Sequence, residues 1–222
     1  MRLTFLGSGV MASAMISRLL KSGYEIEVFS RDAKKLAAFS QKFDNKITVF
    51  PYEKDTSLEG KSVILCVKPH ALEKISPYFK GEAKLLISVL AGTTLEALGK
   101  HIKSKSYIRA MPNIAASFGK SMTTITGDIS SKDEATAILN SIGKTLWVES
   151  EKELDIATIL AGSAPAFLAL VAESLIDGAV KEGLKRSDAT FLTKGLFEGF
   201  AQLLENYPHP ALIKDAVMSP AG

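Results

Sequence analysis

The feature that most constrains this chain is a glycine-rich turn set between an apolar run and an amphipathic one. Leu3-Thr4-Phe5-Leu6 reads as a short strand, and Gly7-Ser8-Gly9-Val10-Met11-Ala12 follows at once. Met11 to Ser22 then repeats apolar residues at helical spacing, with Met11, Met15, Ile16, Leu19 and Leu20 on one face, and Gly23 closes the helix. In a G-x-G-x-x-A turn each small residue has a task. The first glycine makes the tight turn, the second lets the backbone approach a pyrophosphate, and the last allows close helix–strand packing. The helix end adds free amides and the positive end of its dipole. A lone match is weak, but a strand before it and a helix after it supply the required context. Gly7, Ser8, Gly9, Val10 and Met11 are therefore expected to hold a dinucleotide.

The next strand sets the kind of dinucleotide. Ile26-Glu27-Val28-Phe29 ends not on an acidic residue, which would hold ribose hydroxyls, but on Ser30-Arg31. A hydroxyl beside a guanidinium suits a 2′-phosphate, since arginine donates two parallel hydrogen bonds. The expected cofactor is NADPH, with NADH as the other candidate.

The pattern continues for two thirds of the chain. Further strands are predicted at Ile47–Phe50, Val63–Val67, Lys84–Val89, Ser106–Ala110, Ser121–Thr126 and Thr145–Val148, and a helix over Asp32–Phe43. Strands separated by helical patterns imply βαβ units and a largely parallel sheet. After Glu149 no strand appears, and 151–161, 164–182, 187–205 and 211–218 read as helices. The expected fold is thus α/β: a Rossmann domain over 1–149, then a smaller all-helical domain over 150–222. At roughly 70 residues the second part is small for a core of its own, so it is expected to complete one against the sheet domain or another subunit.

Composition excludes other classes. A net charge of +3 is too small and too dispersed to predict a nucleic-acid or membrane partner. No apolar run is read as reaching the roughly 20 residues that span a bilayer, and a cytoplasmic location is expected. The only cysteine, Cys66, lies in the apolar run Val63–Val67 and reads as a core thiol. His70, His101 and His209 are far apart, so no metal site is expected.

Three more segments fall where a parallel sheet presents its carboxyl edge: Val67-Lys68-Pro69-His70, Ala91-Gly92, and Arg109-Ala110-Met111-Pro112-Asn113. Together with Gly162-Ser163-Ala164-Pro165-Ala166-Phe167 and Val217-Met218-Ser219-Pro220-Ala221-Gly222, they resemble the pyrroline-5-carboxylate reductase family from residue 3 to the last residue. The resemblance implies reduction of 1-pyrroline-5-carboxylate to L-proline by hydride from NADPH, the last step of proline synthesis. It also implies a homodimer, or a higher oligomer of dimers, built by the helical domain. It assigns pyrophosphate to Gly7–Met11 and the 2′-phosphate to Ser30 and Arg31. Val67, Lys68, Pro69, Ala91 and Gly92 would line the ribose and nicotinamide, and Met111, Pro112 and Asn113 would form the floor beneath. Ser163, at an expected helix start, would be the catalytic hydroxyl and touch substrate. Ser219, Pro220, Ala221 and Gly222 would bind the substrate carboxylate.

The chain departs from the family pattern at Ala164 and Ala221, where glycines are usual, and at Phe167, where tyrosine is usual. The family pattern also continues past Gly222, so the helical domain is expected to be incomplete. Two other readings stay open: a related NADPH-dependent imine or 3-hydroxyacid reductase, with Lys181, Lys185 or Lys194 as the acid, and a non-catalytic, truncated nucleotide-binding paralogue. A cyclic imine is basic enough to react as its iminium, so the main reading requires no catalytic dyad or metal, only positioning of the reactants.

Overall fold

The structure, a computed structural model, describes residues 1–218 of the 222-residue chain. Its strands are β1 (Arg2–Leu6), β2 (Glu25–Ser30), β3 (Thr48–Pro51), β4 (Thr56–Ser57), β5 (Ser62–Leu65), β6 (Phe79–Lys80), β7 (Leu85–Ser88), β8 (Tyr107–Met111), β9 (Ser121–Gly127) and β10 (Gly143–Trp147). Its helices are α1 (Val10–Lys21), α2 (Ala33–Gln41), α3 (Leu72–Ile75), α4 (Leu95–His101), α5 (Lys132–Asn140), α6 (Glu151–Thr158), α7 (Ala164–Lys181), α8 (Arg186–Asn206) and α9 (Pro210–Val217). Eight strands form one sheet in the order β10-β9-β8-β7-β5-β1-β2-β3, and β4 pairs with β6 apart from it. Every pairing in the large sheet is parallel except β8 with β9.

The central strands β5 and β7 are buried at every position because both faces are covered. Along β5, Ile64 joins one core cluster while Val63 and Leu65 join the other. Along β7, Leu85 and Ile87 face the first cluster and Leu86 the second. Met15, Ile16 and Leu19 of α1 with Ile138 and Leu139 of α5 complete the first layer. Leu72 and Ile75 of α3 with Leu98 of α4 complete the second. Each such fully buried side chain contributes about 1.5–3 kcal/mol. This is the doubly wound α/β arrangement expected from the strand and helix periods.

The chain divides into two compact units, Met1–Ala164 and the residues from Pro165 onward. The change in sequence pattern at 149 precedes that division by α6 and the turn after it, which pack with the sheet: Leu154 of α6 is fully buried.

Two expectations about the helices need correction. The predicted break between a helix ending at 161 and one starting at 164 is absent. α6, a π-helical turn at Ile159–Ser163 and α7 run on as one helix, Glu151–Lys181. That continuity makes a segment long and apolar enough, by length and composition, to cross a membrane, which the reading of two shorter helices missed. In the second unit, α7 buries no residue, α8 buries Ala189 and Thr193, and α9 buries Ile213.

Candidate functional site

The glycine turn sits where the strand order reverses, with β2 and β3 on one side of β1 and β5, β7 and β8 on the other. In open α/β sheets this reversal opens a crevice at the carboxyl ends of the strands. Gly7 has φ +112°, and a Cβ there would lie 2.5 Å from the carbonyl oxygen of Cys66. Its amide donates to Phe29 O at 2.8 Å, so one residue joins the ends of β1, β2 and β5. Gly9 meets no such demand within the chain. It is the N-cap of α1 in an ordinary extended conformation, and a Cβ there would meet nothing within 4 Å. No side chain caps the helix and its first turn holds no acidic residue. The α1 amides thus face open space, free of a competing carboxylate, which fits an approaching pyrophosphate.

At the end of β2, Ser8 Oγ donates to Ser30 Oγ at 2.9 Å. Ser30 accepts that bond and keeps its own hydroxyl proton for a ligand. Asp32, which could be mistaken for a ribose-binding acid, is engaged elsewhere. It is the N-cap of α2 and accepts from the amides of Lys34 and Lys35 at 3.1 and 3.2 Å. The Lys35 amide foremost holds its carboxyl below the ordinary value. Arg31 is exposed beside Tyr52, whose phenol is pushed up by burial and drawn partly back by the Arg31 charge. A hydroxyl and a guanidinium with no available acid fit a 2′-phosphate.

The parallel pairing of β5, β7 and β8 brings the remaining cofactor candidates to the same edge. Lys68, Pro69, Ala91 and Gly92 are exposed there, and Val67 is half-buried against the second core cluster. Gly92 has φ +66° with nothing near its Cβ position. Met111, Pro112 and Asn113 are buried below the edge. The Cys66 thiol, buried beneath the glycine turn, is pushed up by burial alone and stays protonated, as a core thiol should.

Arg109 carries a structural role that the sequence reading did not assign. It is 1% exposed, and it donates to Glu151 Oε1 and Asp155 Oδ1, each at 2.8 Å. Glu151 Oε1 also accepts the Leu95 amide at the start of α4. A charged residue between Ile108 and Ala110 in a strand buried on both faces is the signal that could have found it, with carboxylates four apart on α6 as its partners. Asn113 holds the other end of that helix: its Nδ2 donates to Ala161 O at 2.7 Å. Ser163 therefore stands not at a helix start but in the π-turn, exposed, two residues beyond the buried Ala161. Ser219, Pro220, Ala221 and Gly222 lie outside the described residues.

Two cavities of about 350 and 400 Å³ lie toward the amino ends of the strands. The first is lined by residues such as Gly81 and Lys103, and the second by Met1, Ser62 and Lys84. Neither includes a residue of the glycine turn.

Comparisons with known proteins agree with this layout. Residues 151–222 match the family model described as pyrroline-5-carboxylate reductase dimerisation, and residues 2–92 match that described as NADP oxidoreductase, coenzyme F420-dependent. A pyrroline-5-carboxylate reductase of Helicobacter pylori is 35% identical over 99% of this chain and 87% of its own length. The crystal structure of 1-pyrroline-5-carboxylate reductase from Streptococcus pyogenes superposes with a TM-score of 0.87 at 26% identity, covering 100% of this chain and 86% of that one. The Plasmodium falciparum pyrroline carboxylate reductase, solved with NADP bound, gives 0.81 at 27% identity over the same shares.

Proposed function

The chain belongs to the pyrroline-5-carboxylate reductase family, and from that premise we propose that it reduces 1-pyrroline-5-carboxylate to L-proline with NADPH as reductant. The observation that carries this reading is one continuous sheet edge, from the uncapped α1 end at Gly9 to Ser30 and Arg31 on one side and to β8 on the other. NADPH supplies the hydride. Amides of Gly7–Met11 take the pyrophosphate, and Ser30 and Arg31 take the 2′-phosphate. Val67, Lys68, Pro69, Ala91 and Gly92 line the ribose and nicotinamide, above a floor of Met111 and Pro112. The Ser163 hydroxyl touches the substrate and steers a proton toward its nitrogen. The iminium is already electrophilic, so these residues act by alignment and exclusion of water rather than by strong acid catalysis.

Association into homodimers is part of the proposal. The segment matching the dimerisation model leaves Phe167, Leu170 and Phe191 at 61%, 62% and 77% exposure, well beyond what a lone helical unit tolerates. Cytoplasmic location is also part of it, supported by a single buried free thiol.

The test is NADPH oxidation by the protein with pyrroline-5-carboxylate, run beside NADH and beside a 3-hydroxyacid couple. Turnover with pyrroline-5-carboxylate, faster with NADPH than NADH, is expected. No turnover with that substrate sinks the reading, and turnover only of the 3-hydroxyacid replaces it. Ser163→Ala at undiminished kcat removes Ser163 from the chemistry.

A further inference from the structure

The helix Glu151–Lys181 contains Pro165, which has no amide proton. In regular α-helix that proton would go to the carbonyl four residues back, which is Ala161. Ala161 is buried, so its carbonyl cannot turn to water and would cost free energy if left alone. The Asn113 carboxamide is the side-chain donor that reaches it, at 2.7 Å. The carboxamide orientation is fixed by the rest of its bonding. Oδ1 accepts the Ala115 amide at 3.0 Å, which leaves Nδ2 facing Ala161. The Asn113 amide donates to Ser121 Oγ at 3.1 Å, tying the same residue to β9. The π-turn Ile159–Ser163 lies over this bond, and such turns are frequent at functional sites.

We propose that Asn113 is a positioning residue. It binds no ligand through its carboxamide but takes up the carbonyl orphaned by Pro165, and so fixes the π-turn that presents Ser163 at the edge of the sheet. The functional half of this inference rests on the proposed reductase reading; the fastening half does not. Arg109 holds the start of the same helix through Glu151 and Asp155, so Asn113 is the second of two pins from β8 and the residues just after it.

Two variants of the full chain test it. Asn113→Asp keeps the volume and the acceptor for Ala115 but turns an oxygen toward the Ala161 carbonyl. Amide hydrogen exchange over residues 159–166 is expected to quicken about tenfold as the turn loosens. The kcat/KM for pyrroline-5-carboxylate is expected to fall about tenfold to hundredfold, the scale of a small misplacement of reacting groups. The NADPH dissociation constant, measured by nucleotide fluorescence, stays within about twofold, because no cofactor contact is lost. Pro165→Ala restores a main-chain donor for Ala161 and lets the π-turn relax to α-helix. It is expected to hold or raise Tm while kcat/KM drops about tenfold, opposite signs that a purely structural role would not produce. Unchanged exchange in Asn113→Asp overturns the proposal. So does NADPH binding weakened as much as kcat/KM, which would make Asn113 a cofactor contact. If Asn113→Asp does not fold, Pro165→Ala decides alone, and wild-type kcat/KM in it overturns the idea. If the wild-type protein does not oxidise NADPH with pyrroline-5-carboxylate, the reductase reading falls, while the exchange measurement still judges the fastening.

Discussion

The first 164 residues and those from Pro165 to Met218 are both rich in apolar side chains, yet they use them in opposite ways. In the first unit Leu3, Phe5, Ile64, Leu85 and Ile108 are essentially inaccessible, held between helices on both faces of the sheet. In the second, α7 hides nothing and Leu170, Phe191 and Leu192 are exposed by more than half. The same hydrophobic driving force is spent within the chain in one case and left over for association in the other. A unit whose stability comes from its own core responds to mutation independently of concentration. One whose apolar surface awaits a second copy does not.

The largest test of that contrast is a pair of charges, Leu170→Glu with Phe191→Glu. It is expected to convert the oligomer to monomer in sedimentation, with the far-ultraviolet signal of the sheet unit retained. Ile64→Ala is its counterpart, expected to cost about 4 kcal/mol of stability at every protein concentration. If the doubly charged variant stays oligomeric, or if Ile64→Ala shifts Tm in a concentration-dependent way, the division of labour is wrong.

Within the first unit, the two glycines of the turn separate folding from binding. Gly7→Ala meets the Cys66 carbonyl and a forbidden φ, and a loss of about 3 kcal/mol is expected in urea unfolding. Gly9→Ala meets nothing in the protein, so Tm should hold while NADPH affinity falls about tenfold or more. Equal effects of the two on Tm would mean that the space before α1 is not a ligand cradle. Arg109→Met removes a buried cation whose partners, Glu151 and Asp155, have side chains 33% and 60% exposed and can rehydrate. The cost should therefore sit near the low end for broken ion pairs, about 2 kcal/mol, and hydrogen exchange should quicken first in α6.

The smallest effect is a titration. Asp32 has its carboxyl lowered in the folded protein by the Lys35 amide, so its stabilising effect is complete above its unfolded value. That contribution is lost as pH falls through the folded value. Asp32→Ala should lower Tm slightly at pH 7, and the difference from wild type should shrink as pH falls from the ordinary aspartate range through the lower folded value. A difference that persists in acid would assign the effect to something other than the helix cap.

What could be read in advance followed from period and turn chemistry. The strand, turn and helix around Gly7 were legible because Gly7 answers a local geometric demand, whereas Gly9 answers only to the proposed ligand. The helix break expected between 161 and 164 is absent for an equally physical reason. A proline predicts a helix boundary when its orphaned carbonyl has no other donor, and here Asn113, 48 residues earlier in sequence, provides one. No local pattern encodes that rescue. The role of Arg109 was hidden in the same way: its partners are 42 and 46 residues downstream. Asn113 itself was expected on the nicotinamide floor, and its carboxamide turns out to be committed to Ala115 and Ala161.

The bond from Ser8 to Ser30 has a consequence for anyone redesigning coenzyme preference. The loop proposed to take the pyrophosphate and the strand end proposed to read the adenosine phosphate share one hydrogen bond, so they are not independent modules. Replacing Ser30 by an acidic residue to recruit NADH changes what Ser8 donates to, and with it the setting of the glycine turn. Substitutions at 8 and 30 should therefore be strongly epistatic, and libraries that vary Ser30 and Arg31 while holding Ser8 fixed would search along only one side of a coupled pair.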